Sequence, residues 1–305
     1  TQGVSSAASD VYKRQQLYIG GDFIEGKDGR GIDVSLNRVA IWNPSVSKWQ
    51  GMGTLYSNGT NGNIYAQTFD SSNNVIYVGG DFTRVFDTSN IWLDANRIAV
   101  WNIASKTWSR LVNYSGNGTD GHVSCIVLNG TKLHIGGGFT NLYNNASTTT
   151  NVKYMATWNL DTQTWSYMGG GTTTTTNGMS TNPTDMVLDM SNQALYISFK
   201  SGGGQFTGYD LNGTTTHWMI GGFNLTTDRW FYPGGSSSTF GLGSSYNNPQ
   251  LSNCGAYMVF DNSNSSMYVG ANVNDTFSWV RDSRNIDISI NSVARWDVRT
   301  QKWYG

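Results

Sequence analysis

Residues 97–108, RIAVWNIASKTW, set two tryptophans seven positions apart. The arrangement returns at 38–49 (RVAIWNPSVSKW), 154–165 (YMATWNLDTQTW), 219–230 (MIGGFNLTTDRW) and 292–303 (SVARWDVRTQKW). The first ring is Trp42, Trp101, Trp158, Phe223 or Trp296, and its partner is Trp49, Trp108, Trp165, Trp230 or Trp303. Successive copies lie 59, 57, 65 and 73 residues apart. Periods of tens of residues mark a chain built from repeated supersecondary units, so whatever one copy folds into must stack on its neighbours.

Two further columns precede the pair. One is LYIGG (17–21), IYVGG (76–80), LHIGG (133–137), LYISF (195–199) and MYVGA (267–271), and the other is QTFD (67–70), IVLN (126–129), MVLD (186–189) and MVFD (258–261). Each copy therefore reads as four short strands, a to d, with no helical periodicity. Strand c ends at Asn43, Asn102, Asn159, Asn224 or Asp297, whose side chain bonds to nearby backbone and starts a turn. A short loop returns strand d, so the two rings sit opposite each other on one sheet face, where aromatic pairs add about 0.2–1 kcal/mol. A small residue, Ala40, Ala99, Ala156, Gly221 or Ala294, stands two positions before the first ring and leaves it room. One four-stranded sheet cannot bury both of its faces, so such units stack radially. The expected fold is all-β: a β-propeller of four-stranded antiparallel blades, five repeats visible, the first lacking its inner strand. The five either close a ring or form a piece of a larger one, and the reading favours the piece.

These columns resemble the kelch family, whose mark is a diglycine after an apolar strand and then an aromatic separated from a tryptophan by six residues. Gly79-Gly80, Trp101 and Trp108, with their counterparts, carry the resemblance over residues 17–303. Gly20-Gly21-Asp22-Phe23 and Gly79-Gly80-Asp81-Phe82 are also similar to the repeats of fungal cell-polarity cortical markers. Copy four departs, its glycines displaced to 202–204, and copy five has Gly270-Ala271. The resemblance implies a propeller and says little of function. It brings in galactose-oxidase-like copper enzymes, which use a histidine directly after a tyrosine and a Cys–Tyr cross-link. No Tyr-His dipeptide occurs here; Cys125 falls in a strand a and Cys254 in a loop. VSSAASDVYKRQ (4–15) resembles translated sequencing-adaptor sequence, so residues 1–16 read as a non-native segment and 17–305 as a single kelch-like propeller domain.

Charged residues are 13% of the chain, and 12 Trp, 16 Tyr and 12 Phe provide core material rather than a disorder signature. A net charge of −1 argues against nucleic acid or an anionic membrane as partner, and no apolar run approaches a transmembrane span. The three histidines lack metal-ligand spacing. His134 stands in a column with Tyr18, Tyr77, Tyr196 and Tyr268, which predicts a core role. His122 aligns with Asn63, Asn182 and Cys254 before strand a, at the channel mouth, and His217 precedes strand c of copy four without an evident partner. A sialidase-like site needs an arginine cluster and a Tyr with Glu, yet Glu25 is the sole glutamate. Asp33, Asp87, Asp94, Asp210, Asp282 and Asp287 offer carboxylates, and nothing selects two of them. No catalytic, metal or cofactor-binding residue is expected, and no cofactor.

Loop lengths are unequal. The a–b and c–d turns are short, whereas the b–c loops (24–36, 83–95, 140–152, 207–217, 272–291) and the d–a loops, above all 51–62, 168–183 and 233–254, are long and emerge on one side. Function concentrates on such loops. Tyr56, Trp92, Tyr143, Tyr209, Tyr246, Phe277 and Trp279 are the candidate ligand-face residues, able to stack on sugars or anchor a protein. Nine sequons, at Asn58, Asn113, Asn117, Asn129, Asn145, Asn212, Asn224, Asn264 and Asn274, are candidate glycosylation sites. The expected function is a non-catalytic binding or scaffold propeller, secreted or at the cell surface, with a protein or carbohydrate ligand. The alternatives are a galactose-oxidase-like or glycan-acting enzyme whose active site lies outside this piece, and an intracellular kelch adaptor.

Overall fold

Five times over, the tryptophan hairpin forms in the register its spacing dictates. Trp42 faces Trp49, Trp101 faces Trp108, Trp158 faces Trp165, Phe223 faces Trp230 and Trp296 faces Trp303. Ring centroids are 4.9 to 5.2 Å apart, within the range of favourable tilted and edge-on aromatic pairs. Local chemistry sets each turn. The strand-c carboxamide or carboxylate accepts backbone N–H groups of the loop: Ser45 on Asn43, Ser105 on Asn102, Asp161 and Thr162 on Asn159, Thr226 and Thr227 on Asn224, Arg299 and Thr300 on Asp297. The residue that closes each loop, Ser47, Lys106, Gln163, Asp228 or Gln301, takes a left-handed backbone with φ from 49° to 57°. Ala40, Ala99, Ala156 and Ala294 are buried beneath the rings.

The computed structural model describes residues 16–53, 58–86, 92–111, 117–143, 149–173, 176–199, 205–218, 220–233, 241–243, 256–271, 279–281, 287–289 and 293–305. The adaptor-like segment at 4–15 lies outside them. Secondary structure in the described residues is entirely β, in repeated antiparallel blades of the β-propeller class. The chain divides into two compact units, Thr1–Leu128 with Thr140–Thr150, and Asn129–Phe139 with Asn151–Gly305.

The first unit holds a three-stranded first blade, b (Leu17–Gly20), c (Val39–Asn43) and d (Lys48–Gly51). Its second blade is complete: a (Ile64–Asp70), b (Val75–Gly80), c (Ile98–Asn102) and d (Thr107–Arg110). Val39, Ile41 and Met52 of the first blade pack into one core with Ile64, Ile76, Val78, Ala99, Trp101 and Trp108 of the second. The Trp108 indole N–H donates to the Met52 carbonyl at 2.8 Å. Gly79 carries no side chain because the strand a that follows, Val123–Asn129, lies over it; a Cβ there would stand 2.6 Å from Val123 Cγ1.

The second unit holds strands b (Lys132–Gly137), c (Met155–Asn159) and d (Thr164–Ser166) of the third repeat. Blade four follows with a (Pro183–Asp189), b (Ala194–Phe199), c (Ile220–Asn224) and d (Arg229–Phe231). Blade five has a (Ala256–Asp261), b (Ser266–Ala271), c (Val293–Asp297) and d (Lys302–Tyr304). Blades four and five meet face to face. Tyr196 stacks on Phe260 with centroids 5.8 Å apart, and the Met258 N–H donates to Asp185 Oδ2 at 2.6 Å.

The long b–c connections are not plain loops, contrary to expectation. Short strands pair within them, Glu25–Lys27 with Asp33–Ser35 and Arg84–Phe86 with Trp92–Asp94. In copies four and five the sequence predicts b–c loops at 207–217 and 272–291 and a d–a loop at 233–254. There Gln205–Asp210, Gly213–Trp218, Gly241–Gly243, Trp279–Arg281 and Asp287–Ser289 join into one five-stranded sheet. The two-residue turn Leu211-Asn212 closes the hairpin between Asp210 and Gly213, whose φ is 116°. Its strands lack a regular apolar–polar alternation, because Gly208 interrupts the first and Thr214, Thr215 and Thr216 run together in the second.

Candidate binding face

The d–a connections organise the face that carries the b–c hairpins. Asn58, Asn117 and Asn177 recur at equivalent places, each followed by a glycine with φ of 71° to 73°. Each asparagine ties back to the preceding repeat. Asn58 Nδ2 donates to the Ser35 carbonyl. Asn117 Oδ1 accepts the Asn96 N–H at 2.9 Å while its Nδ2 donates to the Asp94 carbonyl at 3.4 Å. Asn177 Oδ1 accepts the Lys153 N–H. The next residues reach forward, Thr60 to Val85, Thr119 to Leu142 and Met179 to Gly208, as edge bridges on the following hairpin. One strap thus ties two successive hairpins together.

The glycine is required by geometry. A Cβ on Gly118 would collide with the Asn96 carbonyl, and its φ of 73° is left-handed backbone that costs an L-residue about 1–2 kcal/mol. Gly118→Ala is expected to destabilise the first unit by on the order of 2 kcal/mol. Thermal unfolding checks this; an unchanged melting temperature would mean the strap is slack.

At the inner end of this face in the first unit lies a polar cluster. Tyr65 Oη donates to Asp81 Oδ2 at 2.7 Å, and the other Asp81 oxygen accepts the Asn63 N–H. Arg38 Nε donates to Asn63 Oδ1 at 3.1 Å. The His122 ring meets Tyr65 edge-on with centroids 6.0 Å apart, which places it at the start of strand a as its alignment predicted. Burial, then the bond to Asp81, pushes the Tyr65 phenol up to about 12, and burial lowers His122. Tyr65 is therefore a neutral donor, not an activated nucleophile. His134 is buried, its Nδ1 2.8 Å from Thr157 Oγ1, in the core role its column implied. His217 is 1% exposed, and neither ring nitrogen has a hydrogen-bond partner among the described residues. Phe206, Trp230 and Tyr232 surround it with centroids 4.9, 5.3 and 5.0 Å away.

Four of the seven aromatic candidates lie among the described residues. Trp92 is 39% exposed and packs on Phe86 across its hairpin, the ring planes tilted by 37°. Tyr143 is half-buried in Asn141–Tyr143. Tyr209, in the second unit, is half-buried with the Lys153 ammonium 3.8 Å above its ring. Trp279 lies in Trp279–Arg281; Tyr56, Tyr246 and Phe277 are outside the described residues. Sequence reasoning missed Phe86 and Lys153. Phe86 becomes visible only when hairpin register sets it opposite Trp92.

The sequons divide on burial. Asn58 is 2% exposed and Asn117 is fully buried, and both side chains are engaged in the straps. Asn212 is exposed at a hairpin tip. Asn224 caps its turn, Asn129 Nδ2 donates to Gln193, and the Asn264 carbonyl accepts Arg299. Asn113, Asn145 and Asn274 lie outside the described residues. Among the described residues no three His, Cys, Asp or Glu side chains gather to hold a metal ion.

No protein-family model matches the chain, and no curated protein matches it. Solved structures with related architecture exist. A chain described as the structure of U3-55K shares 11% identity at a TM-score of 0.44, over 81% of this chain and 52% of that one. The WD40 repeats of RRP9 share 10% identity at 0.44 with the same coverage. A chain of the mitotic checkpoint complex shares 7% at 0.47, over 99% of this chain and 71% of that one. The protein spans about half the length of the first two. The class defined by its own blades is the β-propeller.

Proposed function

We propose that this propeller is a non-catalytic binding or scaffold module, secreted or at the cell surface, of kelch-like repeat type in one domain over 17–305. It binds a protein or glycan through the face of b–c hairpins and d–a straps. One observation carries the reading: exposed Trp92, backed by half-buried Phe86 on the opposite strand, stands on a hairpin whose far end is held by Asn117. A rigid aromatic loses little entropy on binding, which makes it an effective anchor. Asn212 is the most open of the described sequons for a glycan.

A glycan array and a panel of immobilised cell-surface proteins, screened with the intact chain, test this. Trp92→Ala is expected to weaken the strongest hit at least about tenfold, roughly 1.4 kcal/mol, with no loss of thermal stability. A hit indifferent to Trp92, Tyr143 and Tyr209 substitutions would refute the assignment of the face.

A further inference from the structure

Directly before strand c, three successive repeats hold a long side chain on backbone that favours glycine. Arg38, Arg97 and Tyr154 have φ of 71°, 63° and 62°, left-handed values that bulky L-residues rarely adopt. Hydrogen bonds fix the conformation on both sides of Arg97: its N–H donates to the Phe82 carbonyl at 2.8 Å, and its carbonyl accepts the Gly80 N–H at 3.0 Å. Asn96, one residue earlier, is tied to Asn117. Such conformations cluster where the side chain they present binds something.

Arg38 spends its side chain inside the protein. Its Nε donates to Asn63 Oδ1 at 3.1 Å and its Nη1 to the Thr60 carbonyl at 3.4 Å, so the following repeat satisfies the guanidinium. One repeat later the frame is the same and the acceptor has changed. The Thr60 and Thr119 hydroxyls donate alike to the carbonyls of Gly62 and Gly121, at 2.7 Å in both copies. The next residue is Asn63 in one copy and His122 in the other. Arg97 is half-buried and makes neither an ion pair nor a side-chain hydrogen bond among the described residues. Burial lowers His122; the Asp81 charge opposes this and the Arg97 charge adds to it, so both lie beside the ring. Tyr65, 38% exposed, meets that ring edge-on and donates its hydroxyl to Asp81. Asp81 is exposed, and a carboxylate has about four lone-pair sites, so it can accept further donors. All four residues belong to the first unit.

These groups select a ligand by three different demands. The planar Arg97 fork matches a carboxylate. Asp81 takes hydroxyl donors and repels a multiply charged anion. The open Tyr65 ring supplies an apolar surface beside the polar groups that would orient the ligand. A single carboxylate, neighbouring hydroxyls and an apolar C–H face occur together in an acidic monosaccharide, whereas an Asp or Glu side chain supplies only the first. The geometry points to a subsite for an acidic sugar residue of a glycan, a uronic or sialic acid, whose carboxylate pairs with Arg97 while its hydroxyls reach Asp81 and His122. This deepens the binding role proposed above and rests on it.

Calorimetric titration of the intact chain with glucuronate- and sialate-terminated oligosaccharides tests it, each compared with its methyl ester, which keeps the shape and loses the charge. At least one acid is expected to bind about tenfold or more tightly than its ester. Arg97→Gly should abolish that preference without lowering the melting temperature, because glycine suits a φ of 63°. His122→Asn offers Arg97 the internal acceptor that Arg38 finds in Asn63. It should therefore weaken acid binding about tenfold with both arginines and Asp81 in place. Acids and esters bound alike, or a preference that survives both substitutions, overturns the inference. An Asp- or Glu-rich peptide that binds through Arg97 more tightly than every acidic sugar also overturns it and gives the site to a protein. Failure of every acid to bind overturns the subsite alone; the binding role fails only when the glycan array and the protein panel yield no ligand either.

Discussion

Trp158→Ala is expected to destabilise the second unit by about 3–5 kcal/mol, the usual cost of deleting a buried large aromatic. Trp158 is 2% exposed, lies 4.9 Å from Trp165, and stands above buried Ala156. Its loss leaves a cavity that the hairpin cannot collapse, because the register also fixes its neighbours on both strands. Trp42→Ala changes the same repeat position and should cost only about 1–2 kcal/mol, since that indole is half-buried and less apolar area returns to water. Urea titrations followed by circular dichroism measure both. Equal costs would show that the ring pair stabilises its own hairpin and contributes nothing between blades, which would undo the stacking account.

The second large effect is acid lability. Burial lowers His217 to about 3 and His134 to about 4, against about 6.5 in the unfolded chain. Between those values the unfolded state binds more protons, so stability rises with pH there. The contribution is complete above about 6.5 and is lost as pH falls, by about 4 kcal/mol at pH 3 for His217 alone. His217→Phe fits the ring of Phe206, Trp230 and Tyr232 and removes two buried nitrogens that have no partner among the described residues. It should flatten the curve between pH 6.5 and 3 and raise stability even at neutral pH. Asp185, pushed by burial up to about 6, acts with the opposite sign. The difference between wild type and variant, not either curve alone, therefore isolates the histidine. Parallel melting curves for the two proteins across this range would contradict the prediction.

How much was legible follows from the range of each interaction. The ring pairs, the turn-starting Asn or Asp and the small residue beneath the rings are contacts within about ten residues, and spacing alone reveals them. His134 was placed by its column, since equivalent positions of a repeat share an environment. The paired strands inside the b–c connections are not legible in the sequence, because 84–94 and 205–218 carry no regular apolar–polar alternation. The role of Asn117 was equally hidden: the fragment Asn-Gly-Thr reads as a sequon, and only the Asn96 N–H beside it shows the side chain already engaged.

By itself the chain's order of residues determined the unit: four strands, one hairpin register, one buried indole pair, all settled by backbone geometry and short-range packing. The tertiary structure decided which copies of that unit find cover. Tyr77 and Tyr268 occupy the same column, yet one is 5% exposed and the other 38%. Burial is a property of the neighbouring sheet, and no local pattern states whether that neighbour is present.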